Sequence, residues 1–174
     1  MKSSIFLAKA MFGLYVLLSM IAIPISFLRA QTVPDTEQTL EFLNSFCVKN
    51  QLSVANNKLT SQSITLVPIG GDELYNTEAR DVSLDLKKVV KGTISYQLIF
   101  TLNGPSSKKF DSYTLRCKIQ DCAHFVAGDT KTPKTSNEVS YIALPETDQD
   151  SCIRAFQHLA GLNGAKDLEN FFKK

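Results

Sequence analysis

The side chains that could carry chemistry are few. The 174-residue chain holds 4 cysteines and 2 histidines. Three of those six fall in one stretch, Tyr113-Thr-Leu-Arg-Cys117-Lys-Ile-Gln-Asp-Cys122-Ala-His124-Phe125. Thiols and an imidazole this close could bind zinc, cycle as a redox pair or form a disulfide. A zinc site would use Cys117, Cys122 and His124, with Cys152 or His158 as fourth ligand. The C-x4-C-x-H spacing lacks the paired knuckles of structural zinc sites. A redox pair needs a cysteine of lowered pKa, typically in C-x-x-C at a helix start, and these two read as strand residues. Disulfides are the expectation for an exported domain of this size.

Four cysteines allow three pairings. Cys117 and Cys122 flank four residues, so their side chains can meet. Cys47 and Cys152 fall on the apolar stripes of two expected helices and would join if those helices pack together. The expected set is therefore Cys117 with Cys122 and Cys47 with Cys152. In the chain-entropy model the short loop contributes about 2 kcal/mol and the long one about 5 kcal/mol.

No catalytic motif accompanies them. G-x-S-x-G, H-E-x-x-H and a phosphate-cradling glycine loop are all absent from the sequence. His124, between Ala123 and Phe125, reads as a sheet-face residue. His158 sits one position off a helical apolar stripe. Glu146, Asp148 and Asp150 form a dense acidic cluster whose ordinary role is favourable charge at a helix N-terminus. It lacks the oxygen ligands and turn glycine of a calcium loop. No catalytic residue, metal ligand or cofactor is expected.

Stepping outward, the N-terminus reads as a targeting segment. Lys2 and Lys9 precede an uncharged run, Ala10 to Leu28, followed by Arg29, Ala30 and Gln31. This describes a secretory signal peptide over residues 1–30, cut after Ala30, with Pro24 breaking the helix near the cleavage region. An uncleaved membrane anchor is the alternative. Residues 31–174 then form one domain, secreted or periplasmic, with no membrane contact after cleavage. Without Lys2, Lys9 and Arg29 the remainder holds 16 basic against 17 acidic residues, net −1. That balance gives no basic surface for nucleic acid.

The elements that position the cysteines follow from periodicity. Asp35 and Gln38 form a capping box before a helix over Thr36 to Lys49, with Leu40, Leu43, Phe46 and Cys47 on its apolar face. Strands are expected at Ser63–Val67, Val82–Leu86 and Ile94–Leu102, the last the clearest alternation in the chain. Its apolar set, Ile94, Tyr96, Leu98, Phe100 and Leu102, is expected to face inward. Asn103-Gly104-Pro105-Ser106 turns the chain. Tyr113 to Ile119 and Cys122 to Val126 read as a strand and its return, Gly128 to Asn137 as a polar loop, and Val139 to Leu144 as the last strand. A second helix starts near Thr147–Asp150 and carries Cys152, Ala155, Phe156, Leu159 and Ala160 on one stripe, with Gly161 and Gly164 as a stop. A last turn, Lys166 to Phe172, carries Leu168, Phe171 and Phe172.

The expected class is α+β: a curved antiparallel sheet of six or seven strands with an N-terminal helix and a C-terminal capping helix. From Leu59 to Leu162 this order resembles the pleckstrin-homology-like barrel, which implies strands rolled up and plugged at one end by the C-terminal helix. The family's inositol-phosphate pattern is unmatched, since Arg80 is the only basic residue between Leu66 and Asp81. An open sheet with both helices on one face is the alternative. The Ala-Gln leader end and the Cys-Ile-Arg-Ala-Phe-Gln-His-Leu helix also look like small secreted proteins of Bacteroidota-type bacteria, which implies no activity.

The functional expectation is an exported, non-catalytic binding or structural module that meets another protein through a sheet edge, a loop or the groove beside the C-terminal helix. Two alternatives stand beside it. One is a carrier of a small apolar ligand inside the curved sheet, which needs a void of at least ~300 Å³. The other is a cryptic hydrolase using His124 or His158.

Overall fold

A computed structural model of the chain describes residues 33–62, 65–68, 76–103, 106–118, 121–128 and 131–167. The chain divides into Met1–Val33 and Pro34–Lys174, and every element below belongs to the second unit. The expected leader, residues 1–30, lies outside the described residues. So do the Gly70-Gly71 and Gly104-Pro105 turn residues and the apolar Leu168, Phe171 and Phe172.

The first helix, α1, runs Thr36–Phe42. Asp35 accepts from the Gln38 amide at 2.9 Å and the Gln38 side chain accepts from the Asp35 amide at 3.3 Å, the reciprocal box its sequence announces. Leu43–Cys47 then form a π-helical turn, and Val48 is extended. The expected single helix to Lys49 is corrected accordingly. The wider turn also changes the face: Leu43 and Cys47 are buried, while Phe46 is 63 % exposed with its ring 5.5 Å from Phe42. An extra residue in the turn rotates position 46 off the stripe.

The strands are β1 Leu52–Ala55, β2 Lys58–Ser61, β3 Thr65–Pro68, β4 Asn76–Asp85, β5 Ser95–Asn103, β6 Ser106–Arg116, β7 Ala123–Ala127, β8 Pro133–Ser136 and β9 Glu138–Ile142. They pair antiparallel in one nine-stranded sheet, in the order β1-β2-β4-β3-β9-β6-β5, with β7 on β4 and β8 on β7. Among the described residues the path ends at β5 without closing, so the sheet is open there and not a closed barrel. Nine strands among the described residues replace the expected six or seven. The β1–β2 hairpin, unforeseen, turns at Asn56 and Asn57, with φ of 52° and 61°; that pair of left-handed residues matches the twist of a two-residue hairpin.

β4 organises the sheet. Along one edge it pairs first with β3, Thr65 opposite Ala79, and then with β2, Ser61 opposite Val82, the register slipping by one between them. Its pairing with β7 slips at the same place, between Arg80 and Ser83, and Asp81 there has φ 50°. Such a bulge bends a strand and adds twist. Past it the sheet forks: β2 goes on to β1, and β3 goes on to β9, Leu66 opposite Ser140.

The second helix, α2, runs Gln149–Leu162, with Asp148 as N-cap. Phe156 is fully buried and lies 5.6 Å from Tyr113 and 6.1 Å from Tyr141, stacked on the latter. Leu43, Leu115, Val139 and Leu159 complete this side of the core. Each such apolar burial stabilises by roughly 1.5–3 kcal/mol. On the other face of β6 the small polar residues link up: Gln97 donates to Thr114 at 2.7 Å, and Thr114 and Ser140 share a 2.7 Å bond.

Three further expectations are corrected. Cys122–Val126 is not the return of the Tyr113 strand, because β7 pairs with β4 and β8 while β6 pairs with β5 and β9. The Gly128–Asn137 loop contains β8. On β5, Ile94 is buried and Tyr96 half-buried as expected, but Leu98 is 50 % exposed and Ile99, on the opposite face, is 5 % exposed. The strand outruns the core: the core aromatic at its near end, Tyr113, stands opposite Tyr96, and Leu98 projects past it.

Candidate functional site

Three places among the described residues are candidates for function: the cysteines, the groove at His124 and the outer edge of β5.

Cys47, ending the π turn, is bonded to Cys152 on α2 with Cα atoms 5.7 Å apart, and Cys117 to Cys122 at 6.4 Å. No cysteine is left free. The second bridge does not staple a hairpin. Cys117 follows β6 and pairs with Val89, while Cys122 precedes β7. The bridge fixes the corner where the chain leaves one branch of the sheet for the other, and Asp121 there has φ 66°.

His124 lies on β7, exposed, with Ser83 of β4 and Thr135 of β8 as its register neighbours. An open groove of about 370 Å³ runs past it, lined by Asp81, His124, Phe125, Val126, Pro133, Lys134 and Thr135. The Thr135 hydroxyl donates to the Asp121 carboxylate, away from the imidazole. His158 lies elsewhere, its Nε2 2.6 Å from the Pro34 carbonyl. Among the described residues, no three histidine, cysteine, aspartate or glutamate side chains are grouped to hold a metal. Glu146, Asp148 and Asp150 precede and open α2, where Asp148 accepts from the Ser151 hydroxyl at 2.5 Å and amide at 3.4 Å. Those bonds, the hydroxyl's first, hold its carboxyl below the usual range.

The other perturbed groups are tyrosines. Burial pushes the Tyr141 phenol far up, and its hydroxyl is buried without a partner. Burial also raises Tyr113, against the opposing effect of its bond to Thr147. Tyr96 is raised by burial and by the adjacent Asp111. These groups belong to the helix–sheet core or its margin and do not converge on the His124 groove.

The β5 edge is the third place, and sequence reasoning identified the strand without identifying it as an edge. β5 pairs with β6 over all nine residues, Ser95 opposite Thr114 to Asn103 opposite Ser106. Among the described residues it has no strand on its other side. Ser-Tyr-Gln-Leu-Ile-Phe-Thr-Leu-Asn contains no charge, proline or glycine. Just upstream the edge is occupied: Val90 pairs in parallel with Lys166, and the Lys91 ammonium lies 2.9 Å from Asp167.

Comparison of the chain with protein-family models, curated proteins and solved structures found no match. Two disulfides fit a secreted or periplasmic protein, and no helix among the described residues is long and apolar enough to cross a membrane.

Proposed function

We propose that this is an exported, non-catalytic binding module that takes up an extended strand of another protein along β5. The observation that carries the reading is the nine-residue edge, bare of charge and proline, on a sheet held by two disulfides. An unpaired edge presents a row of N–H and C=O groups that a partner strand satisfies, and alternate side chains then select it. The packing between α2 and the sheet favours this over a carrier, because Tyr113, Tyr141 and Phe156 are fully buried there, ring against ring.

The test is fluorescence anisotropy with a labelled peptide of alternating threonine and valine, added to the wild-type protein and to Leu98→Lys. Binding by the wild type, lost in the variant at unchanged far-UV circular dichroism, is expected. A monomeric wild type that ignores the peptide overturns strand addition at β5. Export and both bridges are checked together by intact mass with and without reductant: loss of residues 1–30 and of four protons is expected.

A further inference from the structure

We infer that the strand received at this edge is β5 of a second copy of the chain, the two running antiparallel about a two-fold axis at Ile99. The inference rests on the strand-addition reading and names its partner. Read backwards about Ile99, the strand reproduces its own pattern. Ser95 falls opposite Asn103, Tyr96 opposite Leu102, Gln97 opposite Thr101 and Leu98 opposite Phe100. Polar residues meet polar ones and apolar residues meet apolar ones, which is the condition for an isologous contact. A charged strand would fail here, since like charges directly opposite destabilise a pair.

The rows that continue onto β6 agree. Phe110 is the register partner of Ile99, so the central row becomes Phe110, Ile99, the second copy's Ile99 and its Phe110, apolar throughout. Asp111 is the partner of Leu98 and Lys109 the partner of Phe100. The next row therefore runs from Asp111 through Leu98 and the second copy's Phe100 to its Lys109, with opposite charges at its two ends. Leu98, half exposed in the single chain, acquires an apolar neighbour. The Val90–Lys166 pairing occupies the edge just before Ser95 and limits sliding in that direction, so a nine-residue overlap in this register is favoured.

Sedimentation equilibrium of the mature chain, with and without the threonine–valine peptide, tests the idea beside two variants. A two-copy mass at about 100 μM is expected. Leu98→Lys, which puts an ammonium on the edge that must be desolvated before a second strand can dock, should weaken it at least about tenfold. Ile99→Cys, which places the two thiols opposite each other only in this register, should give a reducible dimer upon air oxidation. A dimer that survives Leu98→Lys, or that Ile99→Cys does not cross-link although its circular dichroism is unchanged, overturns the two-fold pairing. A monomer that binds the peptide overturns the second copy and leaves strand addition standing. A monomer that does not bind it overturns both.

Discussion

Among the described residues the sheet ends in three edges, β1, β8 and β5, and of these β8 and β5 differ most. β8 is four residues long, opens on Pro133, carries Lys134 and follows Lys131. Proline supplies no N–H to a neighbour, and lysine on an edge must be desolvated before another strand can dock; both devices blunt an edge. β5 is more than twice as long and has neither. The remaining edge, β1, also lacks charge and proline but is only four residues long, so β5 is the one long edge without such devices among the described residues. The contrast is the reason for proposing β5 as the docking edge.

Both edges depend on one frame, and removing it is the most severe way to break the contrast. Replacing Cys47 and Cys152 by alanine should lower unfolding free energy by about 4–5 kcal/mol, read by urea denaturation. Replacing Cys117 and Cys122 should cost only about 2 kcal/mol, with hydrogen exchange rising first in β7 and β8. Equal losses in the two variants would contradict the ranking.

The next largest effect comes from the shared core. Tyr141 and Tyr113 both have phenols raised by burial, so the folded state holds its protons more tightly than the unfolded chain. Stability is then full below the unfolded value of about 10 and falls as pH rises above it, by up to about 1.4 kcal/mol per pH unit for each group. Tyr141→Phe removes a buried hydroxyl that has no partner; it should leave stability at pH 7 unchanged or raise it by about 1 kcal/mol, and flatten the alkaline fall. Tyr113→Phe, which loses the Thr147 bond, should lower it by about 0.5–1.5 kcal/mol. A destabilised Tyr141→Phe would mean that its hydroxyl is satisfied.

Exchanging the edge devices sharpens the contrast further. Pro133→Thr with Lys134→Val should make β8 sticky and raise light scattering a few-fold at high concentration, whereas the wild-type β8 contributes none. The smallest effect is at Arg116 and Glu138, ion-paired across β6 and β9. A double-mutant cycle should give about 0.2–1 kcal/mol, reduced by salt.

What the sequence made legible was whatever depended on local pattern. β5 and α2 could be placed within a residue or two because their apolar periods are unbroken over nine and fourteen residues. β1 and β2 escaped because four residues apiece around Asn56-Asn57-Lys58 offer too little alternation, though two adjacent asparagines before a lysine were a usable turn signal. β8 escaped because Pro133 and Lys134 disguise it as loop, the same features that blunt it. The pairing of β7 with β4 could not be read, since it joins segments some forty residues apart and sequence adjacency suggested β6. For the same reason nothing in the sequence marked β5 as an edge: alternation tells which face is apolar and says nothing about whether a neighbour lies alongside.

The Cys47–Cys152 bond has one more consequence. Every strand from β1 to β9 lies between those two residues, so the bond makes the sheet part of a covalent ring. A protease that cuts any one loop within it opens the ring without releasing a piece, and the two fragments remain a single molecule of nearly unchanged mass. Damage by a single nick would go unnoticed until a reductant arrived.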